Sequence, residues 1–340
     1  MPPTPSRRPR WRTWSRWVGT GYGLLATAAV LLVLASSDAH ALSYVLGLFA
    51  SWWLAPALVL VPLAAATASW RALAALSVPA VVAGGLVGPY ALNRFTPADR
   101  TADLRVATFN TSAAAGAQGL RTLLEQARPD VVALQEVADR QRADLARSHP
   151  RYPHRSDDGS GGPRGGGDGL VLSRWPVLEV RPVTGLPAGA RPADVVVLDV
   201  DGRRLAVLSV HLASPCLFCP ERSVRRNPAG DTGSAARVRV AEARRYGEVA
   251  RELRAGGNAV VLAGDLNSAE LNEPLRSLTR SGLTDVHRAV GTRPQLTRGS
   301  SPGFARVDVV LVSGLVPLAD GELGPGGSTH SPVVADLAWP

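Results

Sequence analysis

Hydrophobic residues are distributed in two contrasting ways along this 340-residue chain. Three long apolar segments lie at about residues 18–36, 41–68 and 72–92, and none contains an internal Lys, Arg, Asp or Glu. Each is close to or longer than the roughly 20 residues that cross a bilayer as a helix. A buried helical hairpin is the alternative, but runs without a polar face do not suit a soluble domain. The pattern therefore predicts a membrane anchor of about three transmembrane helices over residues 18–94.

Arginine is distributed unevenly, and this bias predicts the orientation of the anchor. Residues 1–17 form a basic tail with five arginines and three tryptophans, whereas the first loop contains Asp38 and no arginine. Arginine-rich flanks stay on the cytoplasmic side, so residues 95–340 are expected outside the cell membrane. A cleaved signal peptide is the alternative for the first segment, because residues 39–41 read Ala-His-Ala. Residues 95–340 reach the outside in both cases.

From about residue 104 the pattern changes to short apolar runs that are separated by turn residues. Strands are predicted at about 104–110, 130–136, 169–173, 177–183, 194–200, 204–211, 258–264, 306–312 and 331–337. Helices are predicted at about 119–127, 138–148, 234–254 and 273–280. Short strands with interspersed helices indicate a layered α/β domain.

Two cysteines, Cys216 and Cys219, lie in a polar insertion over about residues 213–233. A four-cysteine zinc site needs a second pair, and the chain has only these two cysteines. Outside the cell thiols tend to oxidise, so we expect a local disulfide that the chemistry does not require. A redox-active pair is the alternative.

Polar side chains recur where the predicted strands end. In residues 260–268, an apolar run stops at a glycine and is followed by Asp265 and Asn267. A carboxylate there can take a proton from water, and a neighbouring carboxamide can orient that water. For this motif alone, a strand followed by an Asx turn is the alternative. Comparable groups end or begin other predicted strands: Asn110, Glu136, His211, Asp308 and His330.

These motifs, in this order, resemble the endonuclease/exonuclease/phosphatase superfamily, which has the DNase I-like fold. The resemblance covers about residues 103–338. It rests on Thr-Phe-Asn110, Leu-Gln-Glu136, Leu-Ser173-Arg174, Ser-Val-His211-Leu, Gly-Asp265-Leu-Asn267, Val-Asp308-Val and His330-Ser-Pro-Val. It implies two packed β-sheets flanked by helices, with the site at one end of the sandwich. It also implies hydrolysis of phosphoesters with a divalent cation, usually Mg²⁺, with Mn²⁺ as an alternative.

The resemblance implies which residues hold the metal. Glu136, supported by Asn110, would bind Mg²⁺, a hard cation that prefers oxygen ligands. The cation would polarise a phosphoryl oxygen. The family commonly has Asp directly before the last His, and here Thr329 precedes His330. This departure puts a second metal position in doubt.

The resemblance also implies the acid–base roles. Asp265 would orient and deprotonate the attacking water, and Asn267 would contact the phosphate or the nucleophile. His330 would donate a hydrogen bond to the phosphate, with Asp308 fixing its tautomer and favouring its charged form. His211 would be a second donor to the phosphate or an acid near the leaving group.

The fold alone does not determine the substrate. An anchor keeps the site near the bilayer and raises the effective concentration of lipid substrates. We therefore expect a lipid-linked phosphate or pyrophosphate of the cell envelope. A membrane-anchored actinobacterial subgroup of the superfamily, which includes a teicoplanin-resistance protein, has a similar composition rich in Arg, Ala, Gly and Pro, and implies a link to antibiotic resistance.

Two other functions remain as alternatives. An anchored extracellular nuclease would need a basic groove, but residues 95–340 contain 30 arginines and 27 acidic residues, a net charge of only +3. The overall charge of +9 belongs mostly to the N-terminal part. A catalytically silent surface-binding module is disfavoured by the complete set of polar residues at the strand ends. The sequence does not indicate an oligomeric state.

Overall fold

The structure, a computed structural model, has an N-terminal helical bundle followed by a two-sheet C-terminal domain. It describes residues 10–95, 99–113, 115–148, 150–157, 169–215, 228–299 and 303–340. The helices of the bundle are α1 (Arg10–Ser36), α2 (Ala41–Leu48), α3 (Ala50–Ala66) and α4 (Trp70–Asn93). Both α1 and α4 are long and apolar enough to cross a membrane, and α2 with α3 adds a third span if the pair counts as one broken helix.

The second apolar segment is bent, whereas the sequence predicts a single span over residues 41–68. The axes of α2 and α3 differ by 58°, and Phe49 lies at the junction. The α2 helix packs against the C-terminal domain, where Tyr44 and Leu48 are buried with Val307. Hydropathy shows that a segment is apolar but not which partner covers it. The bend therefore accompanies a tertiary contact that the pattern does not contain.

The α1 and α4 helices pack closely against each other. A Cβ atom at Gly23 would lie 2.6 Å from the carbonyl carbon of Ala75, so this crossing requires a glycine. Small residues that let helix backbones approach are typical of helix packing in membranes. The α1 helix also begins at Arg10, inside the predicted tail of residues 1–17.

The described part of the C-terminal domain contains two mixed six-stranded sheets. The first has the order β11-β12-β1-β2-β4-β3, and the second has the order β5-β6-β7-β8-β10-β9. The strands are β1 (Leu104–Asn110), β2 (Val131–Gln135), β3 (His154–Arg155), β4 (Leu170–Ser173), β5 (Val177–Pro182), β6 (Asp194–Val200), β7 (Arg203–His211), β8 (Ala259–Asp265), β9 (Thr284–Asp285), β10 (Asp308–Ser313), β11 (Val316–Glu322) and β12 (Val333–Ala338). Their facing sides form the central core, with Val106, Val207 and Val261 among its buried members.

Helices cover the outer faces of both sheets. They are α5 (Ala117–Thr122), which continues as a π-helical turn (Leu123–Ala127), α6 (Asp139–Ser148), α7 (Thr232–Ala255) and α8 (Glu273–Arg280). The short helix α9 (Val286–Val290) differs, because its Val286 is buried in the central core. The α7 helix buries Tyr246 and Leu253 against the second sheet. This confirms the predicted α/β sandwich of two sheets flanked by helices.

Every predicted strand and helix of this domain is present, within a few residues of its expected bounds. The predicted helix over residues 119–127 differs, because its second half is a π-helical turn. The short strands β3 and β9, the helix α9 and the strand β11 were not predicted. Each residue of β11 is at least partly exposed, so its sequence lacks the alternation that marks a half-buried strand.

The order of the strands brings the predicted site residues to one edge of the sandwich. β1 runs parallel to β2, and β7 runs parallel to β8, so their carboxyl ends lie together. β10 and β12 run antiparallel to these pairs and therefore begin at the same edge. Asp265 at the end of β8 lies opposite both His211 and Asp308. A Cβ atom at Gly264 would lie 1.8 Å from the Val210 oxygen, so the close approach of β7 and β8 requires glycine there.

Candidate active site

A pocket of about 200 Å³ opens at this edge of the sandwich. Most of the predicted site residues line it, and we call these residues the polar side: Glu136, His211, Asp265, Asn267 and His330. The remaining two, Asn110 and Asp308, lie directly behind and are 1% and 0% exposed. The structure therefore brings all the predicted site residues together.

Asp265 is at the centre of the polar side. Its Oδ1 accepts a hydrogen bond from the backbone N–H of Asn267 at 2.7 Å, and its Oδ2 accepts one from Nδ2 of Asn110 at 3.2 Å. The Nε2 atoms of His330 and His211 lie 3.5 and 3.7 Å from Oδ2. Burial alone would raise the pKa of Asp265, but the two histidines and the Asn267 N–H outweigh it and lower the pKa. The carboxylate is thus ionised at neutral pH, as a general base must be.

Asn267 holds the loop after β8 in its conformation. Its backbone has a positive φ of 49°, which asparagine tolerates better than most residues. Its Nδ2 donates to the Leu212 carbonyl at 3.0 Å, which ties this loop to the segment after β7. The amide N–H₂ group is therefore engaged within the protein, and the predicted contact of Asn267 with phosphate stays a prediction.

His330 and Asp308 form a buried pair. Nδ1 of His330 lies 2.9 Å from Oδ2 and 3.1 Å from Oδ1 of Asp308, which leaves Nε2 facing the pocket. Burial alone would lower the pKa of His330, but the charges of Asp308 and Asp265 raise it to about 9. The imidazole is therefore protonated at neutral pH, and its Nε2–H can donate to an anion.

Glu136 is the most accessible carboxylate of the polar side, with its side chain 32% exposed. It follows β2 with a positive φ of 52°. Its Oε1 lies 3.4 Å from Nδ2 of Asn110 and 3.6 Å from Nε2 of His211. Oδ1 of Asn110 accepts from the backbone N–H of Ser112 at 3.0 Å. In this arrangement Asn110 orients the carboxylates of Glu136 and Asp265 through its N–H₂ group.

The residues present fit a hard divalent cation at two adjoining places. Glu136 offers an exposed carboxylate beside Asn110, which suits an ion that keeps several waters. Asp265, Asp308 and His330 form a buried cluster whose ligand atoms lie within 4.8 Å of one another, and this cluster could also bind a metal. There, however, Nδ1 of His330 is already bonded to Asp308. We therefore keep Glu136 as the candidate ligand, supported by Asn110, which orients its carboxylate.

Arg298 also lines the pocket, and the sequence analysis missed it. Its NH1 contacts Nε2 of His330 and donates to Oγ1 of Thr329 at 2.7 Å. Thr329 thus uses its hydroxyl group to position an arginine where the family pattern has a carboxylate. Two cationic groups side by side repel each other, and an anion that binds to both relieves this repulsion. The signal in the sequence is weak, because Arg298 follows no predicted strand.

The pocket has a second side that was also missed, formed by Tyr44, Leu48, Phe304 and Val307, which we call the apolar side. Tyr44 and Leu48 belong to α2 of the bundle. Phe304 stacks on Phe49, with ring centroids 5.6 Å apart. No sequence signal indicates that an apolar segment so far from the strand ends contributes to the same pocket.

One motif of the family resemblance and one prediction concern residues away from this pocket. The Ser173-Arg174 motif is structural in this chain, since NH1 of Arg174 pairs with Oδ1 of Asp130 at 2.5 Å. Cys216 and Cys219, with their expected disulfide, lie outside the described residues.

The sequence model of the Endonuclease/Exonuclease/phosphatase family matches residues 107–330. None of the curated proteins matches the chain in sequence. The structure is similar to that of a D. rerio TDP2 humanized by 14 mutations (TM-score 0.52, 18% identity, covering 69% of this chain and 98% of that one). It is also similar to an endonuclease/exonuclease/phosphatase from Bacteroides vulgatus (TM-score 0.51, 16% identity, covering 70% and 99%). These likenesses confirm the DNase I-like fold, and the chain belongs to the endonuclease/exonuclease/phosphatase family.

Proposed function

We propose that this chain is a membrane-anchored, Mg²⁺-dependent phosphohydrolase that acts outside the membrane on a lipid-linked phosphate or pyrophosphate of the cell envelope. The observation that carries the proposal is the position of the pocket, which lies where the C-terminal domain meets the helical bundle. Two of its lining residues, Tyr44 and Leu48, come from the bundle itself. A substrate that stays in the bilayer would therefore find its phosphate close to the catalytic groups.

The contacts between bundle and domain support the expected orientation. They occur where α1 and α2 meet, through Asp38, and at the end of α4, where Nδ2 of Asn93 donates to the Gly291 carbonyl at 2.9 Å. Both places belong to the side that the arginine bias predicts to be outside. The opposite side includes Arg16, whose NH2 donates to the Thr67 carbonyl at 2.9 Å.

Two adjacent cationic groups in the pocket favour a phosphate with more than one negative charge. Arg298 adds a guanidinium beside the protonated His330, and Thr329 replaces a carboxylate. Among the described residues, no carboxylate lies within ion-pair distance of Arg298. A terminal phosphate or pyrophosphate matches such a site better than a phosphodiester, which carries one charge per phosphate. This agrees with the resemblance to the subgroup that includes a teicoplanin-resistance protein.

The proposed chemistry assigns one task to each group. A bound cation at Glu136 and Asn110 would supply a Lewis acid for the phosphoryl oxygen. Asp265 takes a proton from the attacking water while the water oxygen bonds to phosphorus. His330 and Arg298 donate hydrogen bonds to the phosphoryl oxygens. The bond to the leaving oxygen breaks, and His211 protonates that oxygen or hydrogen-bonds to the phosphate.

An assay of the full-length protein in lipid nanodiscs tests this proposal. The panel contains polyprenyl phosphate, polyprenyl pyrophosphate, a phospholipid, and single- and double-stranded DNA, each with Mg²⁺, with Mn²⁺ and with EDTA. We expect metal-dependent release of phosphate from a polyprenyl substrate and no DNA cleavage at the same protein concentration. Cleavage of DNA without cleavage of any lipid phosphate would support the alternative, an anchored nuclease, and would contradict the proposal.

A further inference from the structure

The α2 helix is firmly fixed to the C-terminal domain by Asp38, which precedes it. Oδ2 of Asp38 accepts from the backbone N–H of Glu273 at 2.8 Å, at the start of α8. Its Oδ1 accepts from Nδ2 of Asn272 at 3.0 Å, and the same Nδ2 donates to the Tyr44 carbonyl at 3.0 Å. Asp38 is 1% exposed. A carboxylate at the start of a helix satisfies free N–H groups and interacts favourably with the helix dipole.

The contact is too close to be a loose association. A Cβ atom at Gly47 would lie 2.4 Å from Nδ2 of Asn272, so α2 can approach this side chain only with glycine at that position. In addition, Nε1 of Trp52 donates to the Phe304 carbonyl at 2.7 Å. The domain therefore fixes α2, and the bundle in turn fixes the segment that carries Phe304.

Tyr44 links the bundle to the polar side of the pocket. Its hydroxyl group donates to the Asn267 carbonyl at 3.0 Å. The guanidinium of Arg239 lies 4.1 Å from the centroid of the Tyr44 ring, and NH1 of Arg239 donates to the Ala213 carbonyl. Both Tyr44 and Arg239 are 0% exposed. Burial strengthens a cation–π contact of this kind, so α2 is built into the site.

We infer that the apolar side of the pocket is a specificity element, which binds the hydrocarbon of the substrate next to its phosphate. This inference rests on the proposed function. The polar side and Arg298 provide the groups that bind a phosphate. The side chains of Leu48 and Phe304 offer only carbon atoms to the part of the substrate that is bonded to this phosphate. A polar alcohol placed against them would lose its hydrogen bonds to water. An alkyl or prenyl group would gain buried apolar area.

The position of the apolar side also identifies the direction from which the hydrocarbon enters. Leu48 ends α2, and α3, which begins two residues later, is part of a candidate membrane span. Phe304 lines the pocket and is 38% exposed, and Trp52 of the bundle, which is 55% exposed, is hydrogen-bonded to the Phe304 carbonyl. A chain that leaves the pocket past these rings continues along the bundle, where the proposed function locates the bilayer.

The experiment compares two water-soluble phosphate monoesters, geranyl phosphate and glycerol 3-phosphate, with the full-length protein in nanodiscs. The phosphate is the same in both, and only the alcohol changes from apolar to polar. The measured quantity is the ratio of the two kcat/KM values. We expect Leu48→Ser and Phe304→Ala each to lower this ratio about tenfold, the discrimination that a small change in an apolar pocket provides.

Leu42→Ser is the matched control, because Leu42 lies on the same helix but is 61% exposed and does not line the pocket. For Leu42→Ser, the ratio of the two kcat/KM values should equal that of the wild type. Phe304→Ala keeps the test decisive if Leu48→Ser fails to fold, since Phe304 is partly exposed and its removal disturbs less packing. Melting temperatures identify variants that have lost structure.

The outcomes separate the two proposals. If kcat/KM falls equally for both substrates in both variants, or falls for neither substrate, the apolar side does not recognise the alcohol. The inference is then wrong. The proposed function survives that result. If the wild type cleaves neither monoester nor any polyprenyl phosphate or pyrophosphate, the proposed function fails, and the inference fails with it.

Discussion

The two sides of the pocket come from different parts of the chain and are specified in different ways. Each residue of the polar side follows or precedes an apolar strand of the same domain. The apolar side depends on a contact between α2 and that domain, such as the hydrogen bond between Tyr44 and Asn267, which are 223 residues apart. Local strand patterns therefore specify the proposed chemistry, whereas the proposed selectivity depends on long-range docking.

The largest effect is expected on the polar side from Asp265→Asn. The amide cannot take a proton from water, so turnover should fall by about 10²–10⁴. Asparagine keeps the size of the side chain and can still accept a hydrogen bond from the Asn267 N–H, so the melting temperature should change little. The measurement is the turnover rate with one substrate at saturating Mg²⁺. Turnover near that of the wild type would remove Asp265 from the mechanism.

Arg306→Met should disturb both sides of the pocket together, because Arg306 lies in the same chain segment as Phe304 of the apolar side and Asp308 behind the polar side. Its NH1 and NH2 donate to the carboxylate of Asp285 at 2.9 and 2.5 Å, and both residues are buried. Removing the cation leaves a buried carboxylate without its partner. We expect a loss of about 3–5 kcal/mol in the free energy of unfolding, measured by denaturant titration in detergent. A loss below about 1 kcal/mol would contradict the proposed dependence on this pair.

The same pair predicts a pH dependence. Burial alone would raise the pKa of Asp285, but Arg306 lowers it below its ordinary value. The unfolded chain restores a pKa of about 3.9, so the folded state binds fewer protons near this pH. The stabilisation is therefore complete above about pH 4 and is lost as the pH falls through the folded pKa. Between about pH 4 and pH 2, the stability of Asp285→Asn should fall less steeply than that of the wild type.

Asn110→Ala should weaken the polar side without touching the apolar side. It removes the amide that orients Glu136 and Asp265, and we expect a loss of about 10–100-fold in Mg²⁺ affinity or activity. Asn258→Ala is the matched control, since Asn258 is a buried asparagine just before β8, at the opposite end of that strand. Activity measured over a range of Mg²⁺ concentrations distinguishes the Asn110→Ala and Asn258→Ala variants. Equal Mg²⁺ dependence in the two variants would show that Asn110 has no special role at the metal.

The smallest effect is expected from Asp38→Ala, which weakens the docking of α2. Loss of the cap on α8 should lower stability by about 0.5–2 kcal/mol. Asp144→Ala, in which an exposed carboxylate is removed, provides the baseline. Thermal melting of the two variants measures the difference, and identical melting temperatures would argue that the docking contact contributes nothing.

Sequence reasoning recovered the polar side because a buried strand that stops at a polar residue is a local signal. Gly264 illustrates this, since the same residue that ends the apolar run also permits the close approach of β7 and β8. The bend at Phe49 was missed because an apolar helix that is covered by lipid and one that is covered by protein have the same pattern. Arg298 was missed because its position depends on the pairing of its segment with Ala305 and His330.

Both proposals require that one substrate contacts both sides of the pocket, with its phosphate on the polar side and its hydrocarbon on the apolar side. The most direct measurement uses an alkyl phosphate with a photoreactive diazirine a few carbons from the phosphate, bound to full-length Asp265→Asn in nanodiscs. After irradiation, we expect label on α2 and on the segment around Phe304, and excess polyprenyl phosphate present during irradiation should suppress it. Label confined to α1, α3 and α4, or label that polyprenyl phosphate does not suppress, would show that the substrate does not contact both sides.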